Sequence, residues 1–247
     1  MPIQPDEIIR ADDFINESER DATPANDEGK VVKLESDGKI DGAFLRASDT
    51  EYFTTTGTWT KPSGLQYVIV EVVGGGGGGG SSNGSATSGQ DGAGAGGGAG
   101  GYTRKRIVAS SLSATETVTI GGGGSAASAG DTSSFGSHCS ATGGAGGESN
   151  TALEKTNCIG GAGGEGSGGD LNIKGERGGH VSSVYNRGGI GGGSHFGKGA
   201  STPTLAGTNA NGVSGEYGSG GSGAVSHNAS RTGGTGGAGI VIVHEYF

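Results

Sequence analysis

Apolar positions in this chain gather into short runs separated by polar or glycine stretches. The strongest run is "LQYVIVEVV" at 65–73, where Tyr67, Ile69, Glu71 and Val73 alternate with Val68, Val70 and Val72. Alternation in which both sets are largely apolar predicts a strand buried on both faces, in the middle of a sheet. The terminal "GIVIVHEYF" at 239–247 has the same character, and the two are expected to pair. "EYFTTTGTWTKPSG" at 51–64 mixes aromatics with threonines, a strand composition, and closes in a Lys61-Pro62-Ser63-Gly64 turn. Further strands are expected at "YTRKRIVA" (102–109), "ATETVTIG" (114–121), "TSSFGS" (132–137), "TALEKTNCIG" (151–160) and "DLNIKG" (170–175). Short strands at this spacing, joined by turn-rich connections, predict an all-β, jelly-roll-like sandwich.

Before residue 51 the pattern differs. "PDEIIRADDFINESE" has an acidic start and apolar Ile8, Ile9, Phe14 and Ile15, which suits a short helix. Two small apolar patches follow, on either side of a turn at Asp37-Gly38. So few apolar residues cannot build a core alone. Residues 1–50 are therefore expected to be an attachment and trimerisation segment, and 51–247 a glycine-rich β domain.

Composition changes this picture most. Of 60 glycines, 55 fall from Gly74 onwards, and seven are consecutive at 74–80. Glycine loses the most conformational freedom on ordering, so such a run demands a reason. The glycines recur as pairs with one other residue: "GGAGGY" (97–102), "GGAGGE" (143–148 and 160–165), "GGIGGG" (188–193) and "GGTGGA" (233–238). A period of three matches an extended helix of the polyproline II type, which has no internal hydrogen bonds. With two of three faces bare, neighbouring backbones can touch, and their N–H and C=O groups can pair laterally. Packed polyglycine II helices braced by the sandwich are the expectation. Disorder is the competing reading of such a composition; the strands between the runs and the register of the glycines oppose it. Five prolines in all exclude collagen.

Charge and motifs then narrow the function. The chain is acidic, with 13 acids and 6 bases in residues 1–50, so nucleic acid is not an expected partner. The basic cluster at 102–108 reads as a solvated strand edge. No 18-residue apolar stretch occurs, so no membrane insertion is expected. The N-terminus lacks the features of a classical signal peptide, which implies synthesis in a cytoplasm. Cys139 and Cys158 have no metal or redox spacing; free buried thiols and a single disulfide both stay open. "GGSHFGKG" at 192–199 has phosphate-loop spacing, but Gly199 replaces the hydroxyl residue, and no strand-to-helix context surrounds it. The five histidines show no metal-ligand spacing, and no nucleophile elbow or carboxylate pair stands out. No enzyme, cofactor or metal is expected. Large polar and aromatic residues in loops between the glycine runs suit receptor binding instead: Tyr185, Arg187, His195, Phe196, Tyr217, His227 and Arg231.

The order of motifs is also familiar. "FTTTGTWTKPSGLQYVIVEVVGGGGGGG", "GGAGGYTRKRIV", "TVTIGGGG", "DTSSFGS" and "ATGGAGG" resemble the glycine-rich domain at the ends of bacteriophage tail fibres. "GKVVKLESDGKIDGAFLRAS" at 29–48 resembles a segment found upstream in such fibres. The resemblance implies a trimeric adhesin on a virion tail fibre or other extracellular fibre. Its tip of stacked polyglycine II helices would carry variable loops that touch a host glycan or outer-membrane protein. The resemblance covers about residues 29 to 247, and the chain is short for a whole fibre. A structural filament subunit is the alternative, and an ice-binding lattice a third, which the non-repeating loops oppose.

Overall fold

The computed structural model describes residues 48–84, 92–150, 157–182, 187–202 and 209–247. The helix and turn expected within 1–47 lie outside these residues. Two five-stranded antiparallel sheets form a sandwich. The first has the order β1 (Ser48–Phe53), β14 (Ile240–Tyr246), β3 (Tyr67–Val73), β5 (Tyr102–Val108), β11 (Leu171–Ile173). The second has β10 (Gly166–Ser167), β8 (Cys139–Ala141), β7 (Ser133–Phe135), β6 (Thr115–Thr119), β2 (Gly57–Thr60). Two short pairs lie apart, β4 (Gly92–Ala93) with β13 (Val225–Ser226) and β9 (Asn157–Cys158) with β12 (Val181–Ser182). The twice-apolar strand is central, as its pattern requires, and it pairs with the terminal strand from Val73–Ile240 to Tyr67–Tyr246.

Alternation decides what the sandwich buries. Val68, Val70, Val72, Ile107, Val241 and Val243 face Trp59, Val118, Phe135, Cys139 and Ala141 across the two sheets. The rings of Trp59 and Phe135 meet edge to face, with centroids 5.6 Å apart. The Trp59 indole N–H donates to Oε1 of buried Glu245 at 2.7 Å.

Three details differ from the sequence pattern or complete it. The basic strand is not a free edge. β5 pairs with β3 along its length and with β11 over its first three residues. Lys105 Nζ donates to the His138 carbonyl, and Arg106 lies 4.0 Å over the Tyr67 ring. Within 151–160 only Asn157–Cys158 is a described strand, and 151–156 lie outside the described residues. Cys139 and Cys158 form no disulfide and are buried in separate clusters. Burial pushes the Cys139 thiol up to about 11.

Beyond the sandwich the glycine runs pack side by side. N–H groups of Gly74, Gly77 and Gly80 donate to the carbonyls of Gly101, Gly98 and Ala95. Those of Gly75 and Gly78 reach Asp131 and Ser128, and those of Gly76 and Gly79 reach Gly237 and Gly234. In return, Gly75 and Gly78 carbonyls accept from Gly144 and Gly147, Gly77 and Gly80 from Gly221 and Ala224, and Gly76 from Gly124. Every third residue thus faces the same neighbour, and 74–80 has a neighbour on every side. That explains seven glycines in a row: no direction is left for a side chain. The 94–101 run is enclosed similarly, bonding to 218–224, 142–148 and 176–179, and admits only the methyls of buried Ala95 and Ala99. Peripheral runs turn their third residues outward, large ones included: Ala162, Glu165, Ile190, Thr235 and Ala238 are exposed.

At the edge of the sandwich, burial alone would raise the Glu116 carboxyl. The Ser113 N–H and the His138 ring, 3.2 Å away, more than offset it, so Glu116 lies below its usual 4.5. A lowered carboxyl stabilises the fold above its unfolded value and loses that contribution as pH falls through the folded value. Stability should therefore decline as pH drops below 4.5, and Glu116→Gln should flatten that decline. Melting temperatures at a series of pH values check this.

Candidate functional site

The register of the glycine runs gives this domain two ends. The 74–82 run leaves β3 at Val73 and reaches Ser82, where it meets Arg231 and Asn150. The 92–101 run returns from Gly92 to β5 at Tyr102. The 218–226 run starts beside Val73 and Gly74 and ends at Val225 and Ser226, opposite Gly92 and Ala93. The 231–239 run returns to β14. The chain around Ser82, Gly92, Asn150 and Ser226 therefore marks the end remote from the sandwich, and the described loop 226–231 belongs to it. Arg187, just before the Gly188 that meets Gly223, lies toward the same end. The turns 193–199 and 216–218 lie at the sandwich end.

This division separates the seven predicted residues. Arg187, His227 and Arg231 are at the remote end. Tyr185 lies outside the described residues. His195, Phe196 and Tyr217 are at the sandwich end. His195 stacks on buried Tyr102 with centroids 3.9 Å apart, and Phe196 meets Tyr102 edge-on at 6.0 Å. Ser194 Oγ donates to the Tyr217 carbonyl at 2.5 Å. Tyr217 itself has φ 45 and is followed by Gly218 at φ 77; an added Cβ at Gly218 would meet Gly74 and the Val73 side chain. The phosphate-loop-like "SHFGK" is thus a turn closed by Ser194 and Gly197. It seals the seam between lattice and sandwich.

Tyr102 also begins a hydrogen-bonded row across the first sheet. Its hydroxyl donates to Glu71 Oε2 at 2.8 Å, Glu71 Oε1 meets His244 Nε2 at 3.2 Å, and His244 Nδ1 meets Thr50 Oγ1 at 3.2 Å. Burial first, then the bond to Glu71, raises the Tyr102 phenol far above its usual value. The row ties β5, β3, β14 and β1 together. Among the described residues no group of three His, Cys, Asp or Glu could hold a metal, and no helix is long and apolar enough to cross a membrane.

At the remote end one residue absent from the sequence reading organises a loop. Asn209 Oδ1 accepts from the N–H groups of His227 at 2.9 Å, Asn228 at 3.3 Å and Ala229 at 3.1 Å. Asn209 Nδ2 donates to Asn228 Oδ1 at 2.5 Å. Three donors captured by one oxygen fix the 226–231 loop as a preorganised element. An asparagine among "TNANG" is a turn signal only; its target, 18 to 20 residues away, becomes visible only once the runs are packed. Beneath the loop, the hydroxyls of Ser82 and Ser226 bond at 2.7 Å.

The glycine-rich domain family matches this chain over residues 51–246, from the first strand of the sandwich to the last. No curated protein matches it.

Proposed function

The chain belongs to the glycine-rich domain family, and on that premise we propose that it is a fibre-tip adhesin. Its glycine runs are polyglycine II helices, its working unit is a homotrimer joined through residues 1–50, and its target is a glycan or outer-membrane protein on a bacterial surface. It acts by binding, without a reaction, on a virion tail fibre or another extracellular fibre. The resemblance of its motif order to phage tail-fibre tips supports this reading. The observation that carries it is the polarity of the domain. Ser48 enters beside Tyr246, at the end of β14 far from the lattice, while the 226–231 loop, held by Asn209, stands at the opposite end. A scaffold held by lateral bonds on all sides and carrying a preorganised loop at one end suits recognition. The three-residue recurrence of the lateral bonds supports the polyglycine II conformation.

Filament growth by adding further runs sideways is disfavoured. Exposed Thr235, Ala238, Glu165 and Ile190 place side chains where another backbone would have to approach.

The test is binding of fluorescently labelled full chain to a panel of bacterial cells, with light-scattering mass in the same buffer. Saturable, selective binding by a species of three chains is expected. Growth into long particles with no cell binding would overturn the proposal in favour of a filament subunit. Removal of residues 1–47 should convert the trimer to a monomer by the same mass measurement and weaken cell binding through lost avidity. A monodisperse trimer after truncation would place the trimer contacts elsewhere.

A further inference from the structure

The chain enters the sandwich through β1, and only one side of that strand is held. β1 lies at the edge of the first sheet and pairs with β14 alone, from Ser48–Tyr246 to Phe53–Val241. An edge strand with a single neighbour opens locally at lower cost than a central one. Its side chains alternate between two settings. Thr50 stands on the outer face of the sheet beside its partner His244, whereas Asp49 and Glu51 share the inner face with Glu245 and Val243. On the outer face, His244 Nε2 is 3.2 Å from Glu71 Oε1, and Nδ1 is 3.2 Å from Thr50 Oγ1. Both ionisable partners are largely shielded, His244 being 30% and Glu71 17% exposed. Thr50 thus links β1 to the polar row across the sheet.

We propose that β1 is a proton-sensitive clasp: acidification ties it more firmly to β14, and a rise in pH lets it fray. A neutral imidazole carries one ring proton. The Glu71 carboxylate can only accept, so that proton sits on Nε2, and Nδ1 accepts from the Thr50 hydroxyl. A second proton, taken from solvent, lands on Nδ1. That nitrogen then donates to Thr50 Oγ1 in a charge-assisted bond, about twice as strong as its neutral counterpart, and the Thr50 hydroxyl turns its own proton to solvent. The same ring becomes an ion pair with Glu71. Arg104 and Arg106 stand one strand further away, on β5 opposite Glu71 and Ile69, and keep their charge throughout. Tyr52, Tyr67, Tyr102 and Tyr246 are the other titratable groups of this face. The inner face acts in the same direction. Burial first, then Glu245 and Asp49, raises the Glu51 carboxyl above its usual 4.5; Glu245 in turn accepts from Trp59. A raised carboxyl favours the fold in its neutral form, so its penalty is absent at low pH and grows as pH rises through the folded value. Both effects lie above the range in which Glu116 loses its contribution.

Amide exchange in the full chain, followed by NMR at about pH 5.5 and about pH 8 and corrected for the intrinsic rate at each pH, tests the clasp. The β1 amides that pair with β14 should be about tenfold better protected at the acid end, while those of β3 change little. In Glu51→Gln, which leaves His244 as the switching group, the midpoint of β1 protection should coincide with that of the His244 ring signals. Thr50→Val should leave the ring titrating and remove the part of the pH dependence that it transmits, an effect that loss of packing alone would not produce. The double variant Thr50→Val/Glu51→Gln changes only an edge strand, and its melting temperature checks that it folds; β1 should then be held equally at both pH values. His244→Gln/Glu51→Gln should give the same flat result. Parent β1 protection that is equal at the two pH values, or that falls on acidification, would overturn the proposal. So would a pH dependence of the parent's size surviving in either double variant.

Discussion

Replacing Gly97 by alanine should lower the melting temperature of this domain by about 10 °C or more, or prevent folding. An ideal Cβ there would lie 2.5 Å from the carbonyl carbon of Gly77 and closer still to its oxygen. The obstructing atoms are backbone, held by lateral bonds in an enclosed run, so no side-chain rotation relieves the clash. Overpacking of rigid surroundings belongs with the most damaging substitutions, at about 4 kcal/mol or more. In a domain of this size each kcal/mol is worth about 2–4 °C. Gly122→Ala is the matched control within the lattice. Its Cβ would meet only the Asp131 carboxylate, at 3.3 Å, and the melting temperature should stay within a few degrees. A chain in which glycine served only as a flexible linker would tolerate both changes alike, and would gain slightly from each through a less flexible unfolded state. Calorimetry on the two variants separates these outcomes.

Trp59→Phe should cost about 3 kcal/mol or more, although the substitution keeps an aromatic ring in the core. Two effects add. The smaller ring leaves a void beside Phe135 in a site with no exposure. The buried Glu245 carboxylate also loses the indole N–H that it accepts at 2.7 Å, and an unpaired buried charge is expensive. Glu245→Leu alone should also destabilise, because it strands the indole donor. The double variant Trp59→Phe/Glu245→Leu should recover part of the loss, since removing both partners is less damaging than removing one. Urea midpoints for the four proteins give the coupling; strict additivity would show that the hydrogen bond contributes nothing beyond packing.

The sandwich was legible because it rests on local rules. Alternation in 67–73 and 240–246 identified two central strands and their partnership, and the aromatics among threonines at 51–60 marked the stretch that carries Trp59. The glycine pairs foretold lateral backbone pairing, since bare positions in a period of three have few other uses. Which run neighbours which was not legible. All runs share nearly one composition, and the bonds joining Gly77 to Gly98 or Gly79 to Gly234 depend on three-dimensional order. The same blindness divided the predicted site. "SHFGK" and "SHNASRTGG" look alike as polar loops, yet His195 and Phe196 pack on Tyr102 at the seam while His227 and Arg231 stand at the remote end. Asn209 escaped notice because its partners are backbone N–H groups on a distant loop. β5 was misread as an edge because β11, only three residues long, covers it.

Everything proposed about the remote end depends on the glycine runs being a packed interior. Amide hydrogen exchange, resolved by NMR on the full chain, tests this most directly. The N–H groups of 74–80, 94–101 and 220–224 should exchange as slowly as those of β3 and β14, because each is buried and paired with a neighbouring carbonyl. Exchange of these glycines at the rate of an unprotected chain, alongside protected β3 and β14, would contradict the lattice and reduce the loops to tethers on a sandwich.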